Sequence, residues 1–199
     1  MKTIVESIKD RRSIYALSDE KVVSEERIEE LVKEVAKHVP SPYNMQSQRV
    51  VLLTGDQHKK LWSIVLETLR KIVPAEKFST TENKINGSFA SGYATILYFE
   101  DQDVVEHMGN QFPDAKENFI IWSQHASAMM QYALWTTLEA EGLGASLQHY
   151  NPIIDDEVKE TFNLPKQWKL IAQMPLGKQV APAGDKEFMP IDEKVIVLK

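Results

Sequence analysis

The chain has 199 residues, of which 43% are hydrophobic and 26% are charged, and its formal net charge is −6. This length and composition are typical of one globular domain, here residues 1–199, with a sizeable buried core. The acidic balance, with a pI near 5.4, argues against nucleic acid or an anionic membrane as the main partner.

The residue types that are absent or scattered exclude several kinds of site. Without cysteine there are no disulfides, thiolate metal ligands or cysteine nucleophiles. The five histidines show neither HxxxH nor HExxH spacing, so no metal site is predicted. No uncharged apolar run is as long as a membrane span, and the first residues lack the apolar core of a signal peptide. We therefore expect a cytoplasmic protein.

The N-terminal segment predicts a short amphipathic helix over Thr3 to Lys9 that runs into Arg11-Arg12-Ser13. Two arginines and a hydroxyl at a helix-to-loop junction offer several hydrogen-bond donors to a phosphate. The alternative is a solvated pair of arginines that complements the helix dipole. Further on, Ser24 is a good N-cap for a helix that ends near His38.

A proline-containing loop follows this helix. Pro40 and Pro42 predict an extended backbone, in which Asn44, Gln46 and Gln48 alternate and point to one side. Amides in that arrangement can donate to and accept from a polar heterocycle. The alternative is an ordinary proline turn that leads into a strand.

The remaining short elements follow from periodicity and from turn residues. Strands are predicted at Arg49–Thr54, Ala94–Phe99 and Lys169–Met174, and helices at Gln57–Val73 and Asp155–Phe162. Residues 74–91 are polar, and we expect an irregular surface excursion or a mobile lid there. The apolar run Val195–Leu198 predicts a terminal strand that could cross to the sheet of another subunit.

A long helix dominates the second half of the chain. Asn118 to Glu141 contains neither proline nor glycine and has two adjoining apolar faces. It is expected to be enclosed on most sides, as the spine of the domain or as a dimer seam. Gly142 is a natural residue to close this helix, and the small residues through Ser146 permit some other group to approach the backbone closely.

Alternating strands and helices predict an α/β or α+β layered domain. The sequence contains neither GxGxxG nor GxxxxGK[ST]. A dinucleotide-binding Rossmann unit or a P-loop therefore lacks its characteristic glycine-rich loop.

Taken together, the motifs resemble those of the FMN-dependent nitroreductases over nearly the whole chain. The matching motifs are Arg11-Arg12-Ser13, the segment PSPYNMQ from Pro40 to Gln46, the turn GLGAS from Gly142 to Ser146, and Pro175-Leu176-Gly177 with Lys186. The compact length and LQHYN from Leu147 to Asn151 resemble the small fatty-acid-repression-mutant-like subgroup.

This resemblance implies an α+β homodimer. It would have a central, mostly antiparallel sheet flanked by helices, a long buried helix at the dimer interface and an exchanged C-terminal strand. Each of two FMN sites would lie between the subunits. In it, Arg11, Arg12 and Ser13 would hold the phosphate, ribityl and pyrimidine-side oxygens, with Lys186 assisting at the phosphate. Pro40, Ser41, Asn44 and Gln46 would come from the other subunit, while Leu147, Gln148 and His149 would pass the isoalloxazine ring near N5.

The implied reaction is ping-pong hydride transfer from NAD(P)H through flavin N5 to a nitroaromatic, quinone or related acceptor. The cofactor performs the chemistry, so no side chain is assigned a catalytic role. Arg12 would stabilise negative charge near the pyrimidine oxygens. His149 is either a proton donor or a loop histidine.

Three positions depart from the family pattern. Lys186-Glu187-Phe188 has phenylalanine where relatives often carry a second phosphate-binding arginine. Pro42 stands where relatives commonly carry a small polar residue, and Tyr15 where many carry a basic one. Two other readings stay open on the sequence alone. One is a flavin-binding redox sensor or regulatory protein with little turnover. The other is a helical interaction domain without a cofactor.

Overall fold

The computed structural model of the protein describes residues 2–199, and within them it contains eight α-helices and five β-strands. The helices are α1 (Ile4–Asp10), α2 (Glu25–His38), α3 (Gly55–Arg70), α4 (Ala75–Ser88), α5 (Gln102–Gln111), α6 (Lys116–Ala140), α7 (Asp155–Thr161) and α8 (Ile191–Lys194). The strands are β1 (Leu17–Ser18), β2 (Gln48–Thr54), β3 (Ala94–Asp101), β4 (Leu143–Ala145) and β5 (Trp168–Gln179).

One antiparallel sheet organises the domain, with strand order β1-β5-β3-β2 and with β4 also paired to β5. All eight residues of β3 are buried, so this strand is covered on both faces. Ile96 and Tyr98 share a core cluster with α2 and α6, whereas Leu97 and Phe99 pack with α3 and α7. The predicted α+β architecture with a mostly antiparallel sheet is confirmed.

Capping side chains define where the first two helices begin. The Thr3 hydroxyl accepts a hydrogen bond from the Glu6 amide, and the Glu6 carboxylate accepts one from the Thr3 amide at 2.6 Å. Ser24 Oγ accepts from the Arg27 amide at 3.1 Å. These pairs satisfy amides that have no partner within the helix. Both predicted helix starts are therefore confirmed.

Residues 74–91 were expected to be irregular, and that prediction is wrong because α4 occupies most of this segment. Phe78 and Ile85 are its buried residues, and they lie two turns apart on one face of an otherwise polar helix. Two apolar side chains in fourteen residues are too few to produce a recognisable helical periodicity. Strands β1 and β4 were not predicted either, because each has only two or three residues.

Helix α6 has one buried face and one exposed face. Met130, Leu134 and Leu138 pack against the sheet, which confirms α6 as the spine of the domain. The opposite side is not enclosed within one chain, because Ile120 and Met129 are exposed, and its coverage in a dimer stays a prediction. Part of that side borders a largely apolar groove of about 620 Å³ between α1, α2 and α6.

The predicted C-terminal strand has no partner within the single chain. Val195 to Leu198 form no strand with any of residues 2–199, and Leu198 is 92% exposed. Four consecutive apolar side chains thus remain uncovered within the single chain. Pairing of this segment with another subunit stays a prediction.

Two kinds of feature are absent from residues 2–199. None of the helices they form is long and apolar enough to cross a membrane. No group of three or more histidine, aspartate or glutamate side chains among these residues is arranged to hold a metal ion.

Candidate functional site

A cleft of about 580 Å³ brings together residues from the two ends of the chain. We call it the arginine cleft, and its lining includes Arg11, Arg12, Ser13, Tyr15 and Ala16, with Pro182 to Lys186 opposite. Three cationic side chains (Arg11, Arg12 and Lys186) face one carboxylate (Asp185) in this lining. The cleft is therefore suited to an anion with more than one negative charge.

Backbone contacts with the glycine turn fix the N-terminal wall of this cleft. The Ile14 amide donates to the Ala145 carbonyl at 2.9 Å, and Ser13 forms a bridge with Ala145. Such contact requires a glycine at position 144, since a Cβ there would lie 2.9 Å from Ile14 Cγ2. The close approach expected at the small residues is confirmed.

The two arginines are held by different partners. The Arg11 guanidinium lies 4.4 Å from the centroid of the Trp135 ring, in cation–π geometry. Its Nε is buried and has no hydrogen-bond partner in the described chain. Arg12 Nη2 donates to the Gly184 carbonyl at 2.7 Å. Both guanidinium groups are thus partly oriented while retaining N–H donors for a ligand.

The segment after the glycine turn continues along β5. Gln148 and Gln173 exchange two backbone hydrogen bonds, at 2.7 and 2.9 Å, and Leu147 packs against the core. His149 is exposed. The Tyr150 amide donates to Gln173 Oε1 at 2.7 Å. These contacts position the backbone of Leu147, Gln148 and His149 as an extension of the sheet.

Tyr150 connects this segment to the cleft through a cluster of aromatic rings. Its ring lies 6.2 Å from that of Phe89, which is itself 6.2 Å from the ring of Tyr15 in the cleft wall. Burial raises the pKa of Tyr150 to about 12, and Tyr15 contributes in the same direction. The Tyr150 phenol is therefore neutral and available as a hydrogen-bond donor near neutral pH.

Residues 40–48, which we call the amide loop, do not form the extended segment that was predicted. Pro42–Asn44 form a single tight turn, and Tyr43, Asn44 and Gln46 have φ between +51° and +53°. The Gln46 amide donates to Ser41 Oγ at 2.9 Å, and Gln48 Nε2 donates to the Pro40 carbonyl at 3.4 Å. Two prolines in three residues indicated an extended chain, whereas side-chain contacts stabilise a compact turn.

The three amides nevertheless line one cleft, although not through the extended backbone that was expected to align them. Asn44, Gln46 and Gln48 line a common cleft of about 310 Å³, together with Arg49, Lys33 and Lys37. We call this the amide cleft. It shares none of its lining residues with the arginine cleft. Within one chain, the structure therefore does not join Asn44 and Gln46 to Arg11, Arg12, Ser13 and Lys186.

Several residues that shape these clefts were missed in the sequence. Trp135, which supports Arg11, was indistinguishable from the core residues of its long helix. Gly184 contributes only its backbone carbonyl, and since every residue has one, no sequence motif marks this position. Tyr43 was noticed as part of the PSPYNMQ motif, but its aromatic contacts join it to residues far along the chain. Only the tertiary structure reveals these roles.

A buried carboxyl group lies directly behind the amide loop. Glu100 pairs with Gln48 in the sheet, its side chain is fully buried, and neither carboxyl oxygen has a hydrogen-bond partner in the described chain. Burial raises the pKa of Glu100 to about 7, against the opposing effects of the Ser47 hydroxyl and Arg49. This group titrates near neutral pH.

Comparison with known proteins gives a consistent result over the whole fold. The model of the nitroreductase family matches residues 8–178. The nitroreductase CinD from Lactococcus lactis, solved with chloramphenicol and with 4-nitrophenol, is 40% identical, with a TM-score of 0.89 over 99% of this chain and 100% of CinD. HBN1 from Saccharomyces cerevisiae is 30% identical over 195 residues, covering 97% of this chain and 96% of HBN1. The nitroreductase FRM2 from the same yeast is 27% identical over 185 residues, covering 92% and 91%.

Proposed function

The chain belongs to the nitroreductase family, and from this premise we propose that it is an FMN-dependent oxidoreductase that uses NAD(P)H to reduce nitroaromatic, quinone or related acceptors. Its similarity to HBN1 and FRM2 agrees with the fatty-acid-repression-mutant-like subgroup. The observation that carries the proposal is the arginine cleft, where residues from both ends of the chain form one cationic lining.

The residues of this cleft fit the phosphate end of FMN. A phosphate monoester carries close to two negative charges at neutral pH. The cleft supplies three positive charges, from Arg11, Arg12 and Lys186, and one negative charge, from Asp185. Arg11 Nε has no hydrogen-bond partner in the described chain, so it is a further donor that a ligand could satisfy. Arg11 and Arg12 would bind the phosphate and nearby oxygens, with Ser13 donating its hydroxyl and Lys186 assisting.

The missing arginine at position 188 is the main departure from the family pattern. Lys186 Nζ lies 5.1 Å from the centroid of the Phe188 ring. An arginine at position 188 would add a second positive charge, whereas the phenylalanine contacts the existing one on Lys186. Phe188 would thus restrain Lys186 near the cleft. The phosphate would depend more heavily on Arg11 and Arg12.

Bound FMN would supply hydride transfer between the nicotinamide and the acceptor. The protein would contribute position and charge: Leu147, Gln148 and His149 continue the sheet through the bridge between Gln148 and Gln173, and Arg12 would stabilise negative charge on the pyrimidine side. CinD is known in complex with 4-nitrophenol and chloramphenicol, two nitro-substituted benzenes. We infer that a nitroaromatic ring is an acceptor for this chain as well.

The separation of the two clefts supports a homodimer. Pro40, Ser41, Asn44 and Gln46 belong to a loop that reaches no part of the arginine cleft in its own chain. A second subunit would supply this loop, cover the apolar groove beside α6 and pair with the exposed tail at Val195 to Leu198. Light scattering tests this directly, because a monomeric mass at micromolar concentration would contradict a shared site.

The first experiment is to identify the chromophore. Purified protein should be yellow and release FMN on heating, at about one molecule per chain. In titrations of FMN into cofactor-free protein, Arg12→Gln is expected to raise Kd about tenfold to a hundredfold, because a charge-assisted hydrogen bond is lost. The control is Arg70→Gln, which removes an exposed arginine that lines neither cleft and should leave Kd unchanged.

A flavin-binding redox sensor with little turnover is the second candidate. It would also bind FMN but would show negligible NAD(P)H oxidation with nitroaromatic or quinone acceptors. Steady-state oxidation of NADH and NADPH with 4-nitrophenol and a quinone therefore separates the two functions. Colourless protein that fails to bind added FMN would contradict both.

A further inference from the structure

The amide loop has a backbone conformation that its residues do not favour. Tyr43, Asn44 and Gln46 all have φ near +51° to +53°, in the left-handed region that L-residues other than glycine seldom occupy. Asparagine tolerates this region, whereas tyrosine and glutamine rarely adopt it. Three such residues within four positions require contacts elsewhere that hold the loop in place.

The ring of Tyr43 supplies the largest of these contacts. It lies 5.0 Å from the ring of Phe112, 5.5 Å from Phe119 and 6.0 Å from Trp122, and it is nearly parallel to Trp122, at 23°. We call this group the aromatic anchor. Tyr43 nevertheless remains 63% exposed. The ring is thus mostly exposed to solvent, and its contacts with Phe119 and Trp122 attach the loop to α6.

Met45 attaches the same loop a second time, because it is buried in a cluster with Phe119 and Val105. The attached residues 43 and 45 alternate with Asn44 and Gln46, whose side chains line the amide cleft. Gln46 Nε2 also donates to the Asn44 carbonyl at 3.4 Å. The direction of the two amides therefore follows from the attachment of their neighbours.

We propose that the aromatic anchor is a positioning device that holds Asn44 and Gln46 in the flavin-binding geometry and thereby sets the affinity for FMN. Tyr43 acts through its neighbours and needs no contact with the ligand. This inference rests on the proposed function in that FMN is the ligand whose affinity changes. The conformational part of the inference concerns the protein alone.

Three variants of Tyr43 separate positioning from folding. Tyr43→Phe keeps the ring and should bind FMN within twofold of the unmodified protein. Tyr43→Ala removes the ring and is expected to raise Kd about tenfold, an amount comparable with the loss of aromatic packing. Tyr43→Gly also removes the ring but accepts the left-handed backbone freely. It should melt at or above the temperature of Tyr43→Ala yet bind FMN no more tightly.

A matched control removes an exposed apolar side chain elsewhere. The control variant is Ile72→Ala. Ile72 follows α3, lines neither cleft and is 60% exposed. This variant should leave the FMN Kd unchanged. If Tyr43→Ala binds as tightly as the unmodified protein, the anchor does not set affinity. If Tyr43→Gly restores affinity, backbone strain rather than the ring controls the loop, and the proposal is wrong.

Hydrogen exchange of the cofactor-free protein provides a readout independent of FMN. The amides of Asn44, Met45 and Gln46 donate to the Ser41 carbonyl, the Pro42 carbonyl and Ser41 Oγ. Peptides covering residues 40–48 should exchange faster in Tyr43→Ala than in Tyr43→Phe. Equal exchange in both variants overturns the anchor. Protein that binds no FMN but shows the exchange difference contradicts the proposed function and leaves the anchor as a conformational device without flavin.

Discussion

The arginine cleft and the amide loop are held in place by different kinds of contact. Ser13 forms a backbone bridge with Ala145, Gln148 exchanges backbone hydrogen bonds with Gln173, and glycines allow these segments to approach closely. The amide loop is held by side chains that stabilise an unfavourable backbone. Substitutions behind the cleft should therefore change the stability of the whole domain, whereas substitutions behind the loop should change ligand binding more than folding.

The largest effect is expected at Gly177, which pairs with Gly144 at the sheet position behind the cleft. A Cβ at position 177 would lie 2.5 Å from the Ser18 carbonyl oxygen and 3.1 Å from Gly92 Cα. Both are backbone atoms that cannot rotate away. Gly177→Ala should therefore destabilise the protein by about 3 kcal/mol or more, measured by urea unfolding.

Gly87→Ala is the matched control, since a Cβ at position 87 of α4 would meet nothing within 4 Å. Alanine favours a helix more than glycine does, so this variant should be more stable by about 1 kcal/mol. The same substitution is thus expected to have opposite signs at the two sites. Equal stability of both variants would show that β1 can move away from β5 at little cost.

The next effect is a pH dependence of stability that arises from Glu100, which lies behind the amide loop. Glu100 has a pKa of about 7 in the folded protein, against an ordinary value of 4.5. Between these values the folded state keeps a proton that the unfolded state has lost, so stability falls as pH rises from about 4.5 to 7. The shift corresponds to about 3 kcal/mol.

Glu100→Gln removes this titration, and the difference in unfolding free energy between the two proteins should therefore grow in favour of the variant from pH 5 to pH 8. Taking the difference cancels other groups, including His58, whose pKa is lowered by burial and which acts in the opposite direction. A difference that is independent of pH would show that Glu100 is ionised throughout. Arg49 and Asp101 flank this group and are unchanged in the variant.

The same contrast explains how far sequence reasoning reached. Helix α6 was predicted because its apolar residues recur at helical spacing over many positions, and strand β3 because Ala94–Phe99 is a short, nearly continuous apolar run. The glycine turn was found because glycine reports a close approach by its own identity. The fold of the amide loop was not found, because its turn depends on Tyr43 contacting Phe112 and Trp122, far along the chain. Helix α4 was missed because Phe78 and Ile85 alone anchor it.

The candidate site was predicted as a set of residue types and only partly as a geometry. Arg11 to Ser13 and Lys186 do meet in one cleft, although nothing local in the sequence joins them. Asn44 and Gln46 lie in a second cleft, which a single-chain pattern cannot relate to the first. Contacts between subunits leave no periodicity, so it is the resemblance alone that predicts a second subunit joining the two clefts.

The smallest effect on stability is expected at Arg49, which supports the amide loop from its C-terminal side. Its Nη1 donates to the Gln46 carbonyl at 2.7 Å and to the Gln48 carbonyl at 3.0 Å, while Nη2 donates to Asp101 Oδ2 at 2.9 Å. Lysine keeps the positive charge, but it lacks the planar guanidinium that donates to all three acceptors at once. Arg49→Lys should therefore cost about 1 kcal/mol of stability and weaken FMN binding severalfold.

Asp101→Asn provides the companion measurement for this comparison. The amide keeps an oxygen for the Asp103 amide that caps α5, and Arg49 retains both loop carbonyls. If those carbonyl contacts hold the loop, this variant should bind FMN more tightly than Arg49→Lys does, even where the two proteins are equally stable. Equal loss of affinity in both would instead assign the effect to the ion pair, and the loop would then depend on charge as well as on hydrogen-bond geometry.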